Sequence, residues 1–378
     1  MTMGIIRVCT SLIRSLWTLL NIACGLCTLL AGYGGYINPD KFALAQLANM
    51  TFPGWIVLTL ILLAVNLFIR KKLAWLSVAV LVACIGPILT ISPLNFTSRS
   101  LSTDDESRTF TLLTYNVYNF RDNQGVNPEW GNRTLSYILS TDADIVCLQE
   151  SSNLNGVGKK AQRDSINSRY PYRLYSSRSG EVLLSKYHAT EIDTPQPDWG
   201  SGSFCAYDVE VEGHEVTVVN CHLQSIGLTD DDKELYRELT DKELRNPSRS
   251  ELSKVKNGIV TKLLAAFRIR AQQARYIKEF LATRKGNVIL VGDFNDVPGS
   301  YAYRTIKSDG LKDAYSECAF GPTVTYNDNR FYFRIDQMLY RGDLEAVRIK
   351  RGDLRSSDHY PLFATLLWDT AAADTIKR

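Results

Sequence analysis

Three long apolar runs open the chain, and beyond residue 94 the pattern changes to short apolar segments that alternate with amphipathic ones. Leu16–Ile37 is almost uncharged and long enough to cross a bilayer, which takes about 20 apolar residues. Pro53–Ile69 and Leu73–Leu94 follow, parted only by Arg70-Lys71-Lys72. Pro53–Ile69 is the least secure, since it lies near the short limit of about 17 residues. The pattern predicts a membrane anchor over residues 1–94 with three helices, at about 16–37, 53–69 and 73–94. A cleaved signal peptide is the alternative for the first run; its length and the two later runs weigh against it. Basic flanks orient such helices. Arg7 and Arg14 precede the first, and the Arg-Lys-Lys loop joins the second to the third. Both flanks lie in the cytoplasm only if three helices cross. That predicts a multi-pass protein of the cytoplasmic membrane, with everything after Leu94 on the non-cytoplasmic side. The runs carry no ionisable residue at mid-span, where transport sites usually have them, so they read as an anchor and not as a transporter or channel.

Residues 95–108 are polar and read as a linker, and residues 109–368 read as one α/β domain. Phe110–Asn116 (FTLLTYN) is a predicted strand, Arg133–Ser140 a helix, and DADIVCLQE a short strand ending at Glu150. Gly180–Lys186 is another short strand. Cys205–Val211 and Glu215–His222 form a hairpin about Glu212-Gly213-His214. Matching the apolar faces as Val211 with Val216 and Val209 with Val218 sets Cys205 opposite His222. Lys262–Thr283 is an amphipathic helix with Leu263, Ala266, Phe267, Ile277 and Leu281 inward. Val288–Val291 is a β-branched, buried strand that stops at Gly292-Asp293-Phe294-Asn295-Asp296, and a helix from Tyr301 to Ile306 follows. RIDQMLY (Arg334–Tyr340) and PLFATLLW (Pro361–Trp368) complete the strands. The stretch 228–257 is charged, helix-prone and without a strong apolar stripe, which suggests a surface insertion; 369–378 reads as a frayed tail.

Charge changes the picture only slightly. Residues 1–94 hold six basic side chains and one acid, Asp40, which leaves 37 Lys+Arg against 39 Asp+Glu for the rest. The larger part is therefore not the basic body of a protein that grips nucleic acid mainly by charge. Four cysteines belong to the anchor, and Cys147, Cys205, Cys221 and Cys318 to the domain. An outward-facing domain permits disulfides, so a Cys205–Cys221 bridge stays open. No Cys-x-x-Cys pair occurs in the domain, which argues against a structural zinc site.

Polar residues recur at the ends of apolar strands: Asn116, Glu150, His222, Asp293 with Asn295, and Asp358-His359 just before the last strand. Asp336 sits inside FRIDQML, where an unpartnered carboxylate is costly. Two of the four histidines, His222 and His359, fall in this set. Each residue alone has a plain reading, as a polar turn or a satisfied core histidine. Together, carboxylate and amide oxygens suit a hard cation such as Mg²⁺, and a histidine beside a carboxylate makes an oriented acid or base. There is neither a serine nucleophile elbow nor a Walker loop.

The motifs TYNV, LQE (Leu148–Glu150), NCHL (Asn220–Leu223), GDFND (Gly292–Asp296), RID (Arg334–Asp336) and SDH (Ser357–His359) come in the order of the endonuclease/exonuclease/phosphatase superfamily, which the chain resembles over Phe110 to Trp368. The resemblance implies an α+β fold of deoxyribonuclease I type, a four-layer α/β/β/α sandwich, here preceded by three transmembrane helices. It implies Glu150 as the chief metal ligand, with Asn116 and Asp358 close to the ion, which would be Mg²⁺ or Mn²⁺. His359, oriented by Asp336, would transfer a proton or hold the phosphate. Asp293 and Asn295 would orient or activate water, and His222 would stabilise phosphoryl oxygens or protonate the leaving group. Arg334 is a further candidate phosphate contact. Nuclease members often carry an acid where this chain has Tyr118 and an arginine where it has Ser152. The expectation is a membrane-anchored, divalent-metal-dependent phosphoester hydrolase, a phosphodiesterase or phosphatase, with no protein partner inferred. Its substrate stays open among a lipid head group, a small phosphodiester and nucleic acid; the membrane location and the slightly acidic domain favour the first two over duplex DNA. The alternatives are an extracytoplasmic nuclease and a non-catalytic binding protein that keeps the fold.

Overall fold

The computed structural model describes residues 2–96, 101–122, 131–151, 154–176, 180–227, 256–328 and 331–369. The chain divides into an N-terminal helical unit and an α/β unit.

The helical unit contains two helices long and apolar enough to cross a membrane, Arg7–Tyr36 and Phe52–Ile69. A third is present if Lys71–Ala83 and Ile85–Ile91, bent by 61°, count as one. The expected run 73–94 is thus not one straight helix, and Pro87 supplies the reason: it has no N–H to offer the Ala83 carbonyl four residues before it. The Tyr33 hydroxyl donates to that carbonyl instead, at 2.6 Å. Polar side chains tie the long helices together. Asn66 Nδ2 donates to Asn21 Oδ1 at 2.6 Å, and the Trp17 indole donates to Asn66 Oδ1 at 2.9 Å. Thr28 and Thr59 share a hydroxyl contact at 2.8 Å. Such pairs help to hold helices that apolar burial alone would not select.

The α/β unit is built on two six-stranded mixed sheets. The first comprises β1 (Thr109–Asn116), β2 (Ile145–Gln149), β3 (Tyr172–Tyr175), β4 (Val182–Ser185), β13 (Leu344–Arg351) and β14 (Leu362–Trp368), in the order β13-β14-β1-β2-β4-β3. The second comprises β5 (Ala189–Ile192), β6 (Ser203–Val211), β7 (His214–His222), β8 (Asn287–Asp293), β9 (Lys312–Asp313) and β12 (Asp336–Arg341), in the order β5-β6-β7-β8-β12-β9. A two-stranded ribbon, β10 (Tyr326–Asp328) and β11 (Phe331–Phe333), stands apart. Each sheet has one parallel pair at its centre, β1 with β2 and β7 with β8.

Period-two alternation sorts the side chains into three cores. Leu112, Cys147, Val218, Ile289 and Met338 are among those that fill the space between the sheets. Val219, Leu290 and Leu339 face the helix Thr261–Thr283 through Ala274, Ile277 and Leu281. Leu113, Val146 and Leu184 face Leu135 and Ile138 of the helix Arg133–Thr141, and Ile166 of the helix Lys160–Arg169. The layers run helix, sheet, sheet, helix, which is the deoxyribonuclease I-like sandwich.

Two expectations change, and a third falls largely outside the described residues. The β6–β7 turn has two residues, Glu212 (φ 53°) and Gly213 (φ 85°), both at positive φ as a type I′ turn requires. Val211 therefore pairs with His214, Val209 with Val216, and Ser203, not Cys205, lies opposite His222. Cys205 points into the inter-sheet core and Cys221 to the outer face, and both thiols are free. The start of the expected linker is packed down: Asn95 Nδ2 donates to the carbonyls of Ser316 and Ala319, both at 2.9 Å. The expected insertion 228–257 lies outside the described residues except for Lys256 and Asn257, which open the short π-helix Lys256–Val260.

Gly292 is required by geometry. Its φ is +131°, and a Cβ there would lie 1.9 Å from the Cys221 carbonyl oxygen of the paired strand. Gly292→Ala is expected to cost roughly 2–5 kcal/mol in strain and overpacking. Denaturant unfolding checks this; a loss under about 1 kcal/mol would show that β7 can move aside.

Candidate active site

The inner faces of the sheets turn polar toward one end. On β1 the alternation runs Leu112, Thr114, Asn116; on β2, Cys147, Gln149; on β7, Val218, Asn220, His222; on β8, Val291, Asp293. The central parallel pairs therefore deliver polar groups at their carboxyl ends, where α/β sheets place sites. The antiparallel neighbours contribute from their starts. Asp336 opens β12 opposite Asp293, and Asp358-His359 precede β14.

An amide layer separates the apolar core from the charged end. Gln149 Nε2 donates to Thr114 Oγ1 at 3.0 Å and, across the sandwich, to Asn220 Oδ1 at 2.7 Å. Asn220 Nδ2 returns a bond to the Leu148 carbonyl at 2.9 Å. These buried bonds set the spacing of the two sheets below the site.

Above that layer the eight predicted residues are brought together. Asn116 Nδ2 donates to Glu150 Oε1 at 3.0 Å and to Asp293 Oδ2 at 3.1 Å. His222 Nε2 is 3.7 Å from that Glu150 oxygen and 3.8 Å from that Asp293 oxygen. His359 Nε2 approaches Asp293 Oδ2 at 3.5 Å, and its Nδ1 is 2.9 Å from Asp336 Oδ2. The Asn295 backbone N–H donates to Asp293 Oδ1 at 2.7 Å, and its side chain donates to the Leu223 carbonyl at 2.9 Å. Asp358 joins through Ser357, whose Oγ lies 3.1 Å from Asp358 Oδ1 and 2.9 Å from the Asn116 carbonyl. Glu150 (φ 51°) and Asn295 (φ 50°) stand at left-handed turns, the kind of strain that collects at functional sites.

Electrostatics follow from this crowding. Burial opposes the charge of His359, but Asp336 and Asp293 outweigh it and push the imidazole up to about 10, so the ring is protonated at neutral pH. Burial pushes the Asp293 carboxyl up; His359 pulls it down and Asp336 raises it. Burial also raises Asp358, with His359 opposing and the Glu150 charge adding to the rise.

Arg334 is not at the site. Its Nη2 pairs with buried Asp313 at 2.6 Å, and its guanidinium stacks on Tyr315 at 4.6 Å. Other residues at the site were not evident from the sequence. Tyr326 meets the His359 ring edge-on at 5.0 Å, from a ribbon too short to register as strands. Arg270 and Gln273 are buried on the helix Thr261–Thr283. Both lie on its apolar stripe, and a polar side chain at a core position was the signal available.

Residues 113–359 match the Endonuclease/Exonuclease/phosphatase family, and residues 14–91 match a family described as a domain of unknown function. No curated protein matches the sequence. Among solved structures, truncated TDP2 from Caenorhabditis elegans is similar at 16% identity and a TM-score of 0.45, covering 69% of this chain and 98% of that one. A family protein from Bacteroides thetaiotaomicron is similar at 17% identity and 0.43, covering 69% and 98%. The chain belongs to the endonuclease/exonuclease/phosphatase family, a family of phosphoester hydrolases.

Proposed function

We propose that the protein is a divalent-metal-dependent phosphoester hydrolase held in a membrane by its N-terminal helices, acting on a lipid head group or a small phosphodiester. The observation that carries this reading is the convergence on Asp293 Oδ2 of Asn116, His222 and His359, with Glu150 on the same amide.

The donor set fits a hard cation. Glu150 and Asp293 offer oxygens to one amide, and the Glu150 charge raises Asp358. A cluster of carboxylates is stabilised by a divalent ion. The ligand atoms of Asp293, Asp336 and His359 also lie within 4.8 Å of one another. However, Asp336 Oδ2 is engaged by His359 Nδ1 at 2.9 Å, so Glu150 and Asp358 are the better holders. Asn116, whose Nδ2 faces Glu150 and Asp293 while its Oδ1 accepts the Tyr118 N–H, orients them. The cation would supply Lewis-acid polarisation of a phosphoryl oxygen.

The chain's own groups divide the remaining work. Asp293, raised by burial and fixed by the Asn295 N–H, takes a proton from the attacking water. Imidazolium His359, held by Asp336, donates to a phosphoryl oxygen as negative charge builds there. As the P–O bond breaks, His222, whose Nε2 lies 3.7 Å from Glu150 Oε1 and has no hydrogen-bond partner among the described residues, is placed to protonate the departing oxygen.

The membrane reading is supported by the apolar helices, and a lipid substrate by that location together with the near-neutral charge of the rest of the chain. The test is hydrolysis by the full chain in detergent, with and without Mg²⁺, of a sphingomyelin-like lipid, a generic phosphodiester and plasmid DNA. Metal-dependent turnover of either of the first two is expected. Turnover of DNA alone would make the protein a nuclease, and no turnover by folded protein would leave a binding protein.

A further inference from the structure

We infer that Arg270 and Gln273 are positioning residues for the reaction, holding the loop that follows His222 and the turn that carries Asn295 in the geometry the site needs; the inference rests on the hydrolase reading above. Each is 1% exposed, in a stripe otherwise made of Leu263, Ala266, Phe267, Ala271, Ala274, Ile277 and Leu281. A guanidinium is strongly disfavoured there unless a carboxylate and hydrogen-bond acceptors offset its burial.

The pairing of Arg270 is directed at the site. Its Nη1 donates to the backbone carbonyl of Asn295 and, at 3.3 Å, to that of Gln224. Its Nε lies 3.4 Å from Asp296 Oδ2, and its guanidinium covers the Phe267 ring at 4.9 Å. Asn295 is the residue at φ 50°, a conformation that costs a non-glycine residue energy. The bond to its carbonyl favours that turn over a relaxed one. In the same turn the Asn295 N–H reaches Asp293 Oδ1. Arg270 therefore acts on Asp293 through the backbone, without touching it.

Gln273, one turn further along the helix, fixes the neighbouring loops. Its Oε1 accepts the Gln224 N–H at 2.9 Å, two residues past His222, and its Nε2 donates to the Ser201 carbonyl at 3.2 Å. Ser201 leads into Ser203, the ladder partner of His222. A lysine does not reproduce this, because a single ammonium cannot stand both at the Nη1 position, bonded to two carbonyls, and at the Nε position beside Asp296.

The test compares Arg270→Lys and Gln273→Met with Leu281→Ala, a core truncation on the same helix, in the full chain on the substrate that wild type turns over. Arg270→Lys is expected to lower kcat by about 30-fold or more with KM within about threefold, as misplaced catalytic groups do. Gln273→Met should lower kcat about tenfold by the same route. Leu281→Ala should lower Tm at least as much and leave kcat near wild type. The inference is overturned if the folded variants lose no more kcat than Leu281→Ala. If Arg270→Lys fails to fold, Gln273→Met alone decides in the same way. An inactive wild type would instead count against the hydrolase reading.

Discussion

His359→Ala is expected to lower kcat on a phosphodiester substrate by on the order of 10³-fold, with KM changed far less. His359 is buried, is held at Nδ1 by Asp336 at 2.9 Å, and directs Nε2 toward Asp293 Oδ2 at 3.5 Å. The two carboxylates keep the imidazolium charged, raising it to about 10 against the burial that opposes it. A charged donor fixed in a water-poor site needs no reorganisation when charge builds on the phosphoryl group, and that is why one side chain can be worth so much. Asp336→Asn is the partner test. It keeps the shape and loses the charge, so a smaller loss is expected, about 10²-fold. Both variants disturb a buried ion pair, so unfolding has to be followed alongside turnover. A folded His359→Ala enzyme that keeps a tenth or more of the wild-type kcat would remove this imidazolium from the reaction.

The candidate site is legible in the sequence because nearly all of its chemical groups stand beside the end of an apolar run. A strand such as Val288–Val291 fixes its own length, so the polar residue that ends it is placed at a sheet edge before any partner is known. Asp336 stood out for the opposite reason, as a carboxylate inside an apolar strand pattern. What pattern alone does not fix is register. Moving β6 against β7 by two residues leaves every side chain on its face. The hydrophobic alternation therefore accepted Val211 opposite Val216 as readily as the observed Val211 opposite His214. Only the turn chemistry of Glu212-Gly213 decides between them.

Supporting residues are less legible, because their role depends on which loops lie nearby. Gln149 and Asn220 read as strand positions, yet they bond to each other across the sandwich. Ser357 reads as one more polar residue in a loop, yet its hydroxyl joins Asp358 to the end of β1. Arg334 errs in the other direction. Its place two residues before Asp336 suggested a phosphate contact, but Asp313 lies on the neighbouring strand and takes the guanidinium. A short sequence distance to a site residue says little about direction when a strand begins between the two.

Removing divalent metal is expected to abolish measurable hydrolysis, and Mg²⁺ or Mn²⁺ to restore it. Glu150 is the side chain on which this depends most. It follows β2 at a left-handed turn, its side chain is 29% exposed, and its Oε1 shares the Asn116 amide with Asp293. The neighbouring carboxyls of Asp293 and Asp358 are both raised by burial, and Glu150 adds to the rise at Asp358. This local excess of negative charge is what a divalent ion would relieve. Glu150→Gln keeps the size and one oxygen but gives up the charge. It should raise the Mg²⁺ concentration for half-maximal turnover by at least about tenfold and cut the maximal rate by on the order of 10²-fold. Binding has a second readout that does not need turnover. An ion that binds only the folded chain raises Tm with its concentration, so Mg²⁺ should stabilise wild type and stabilise Glu150→Gln much less at the same concentration. Full hydrolysis in excess chelator, or equal Mg²⁺ stabilisation of both proteins, would take Glu150 out of the metal site.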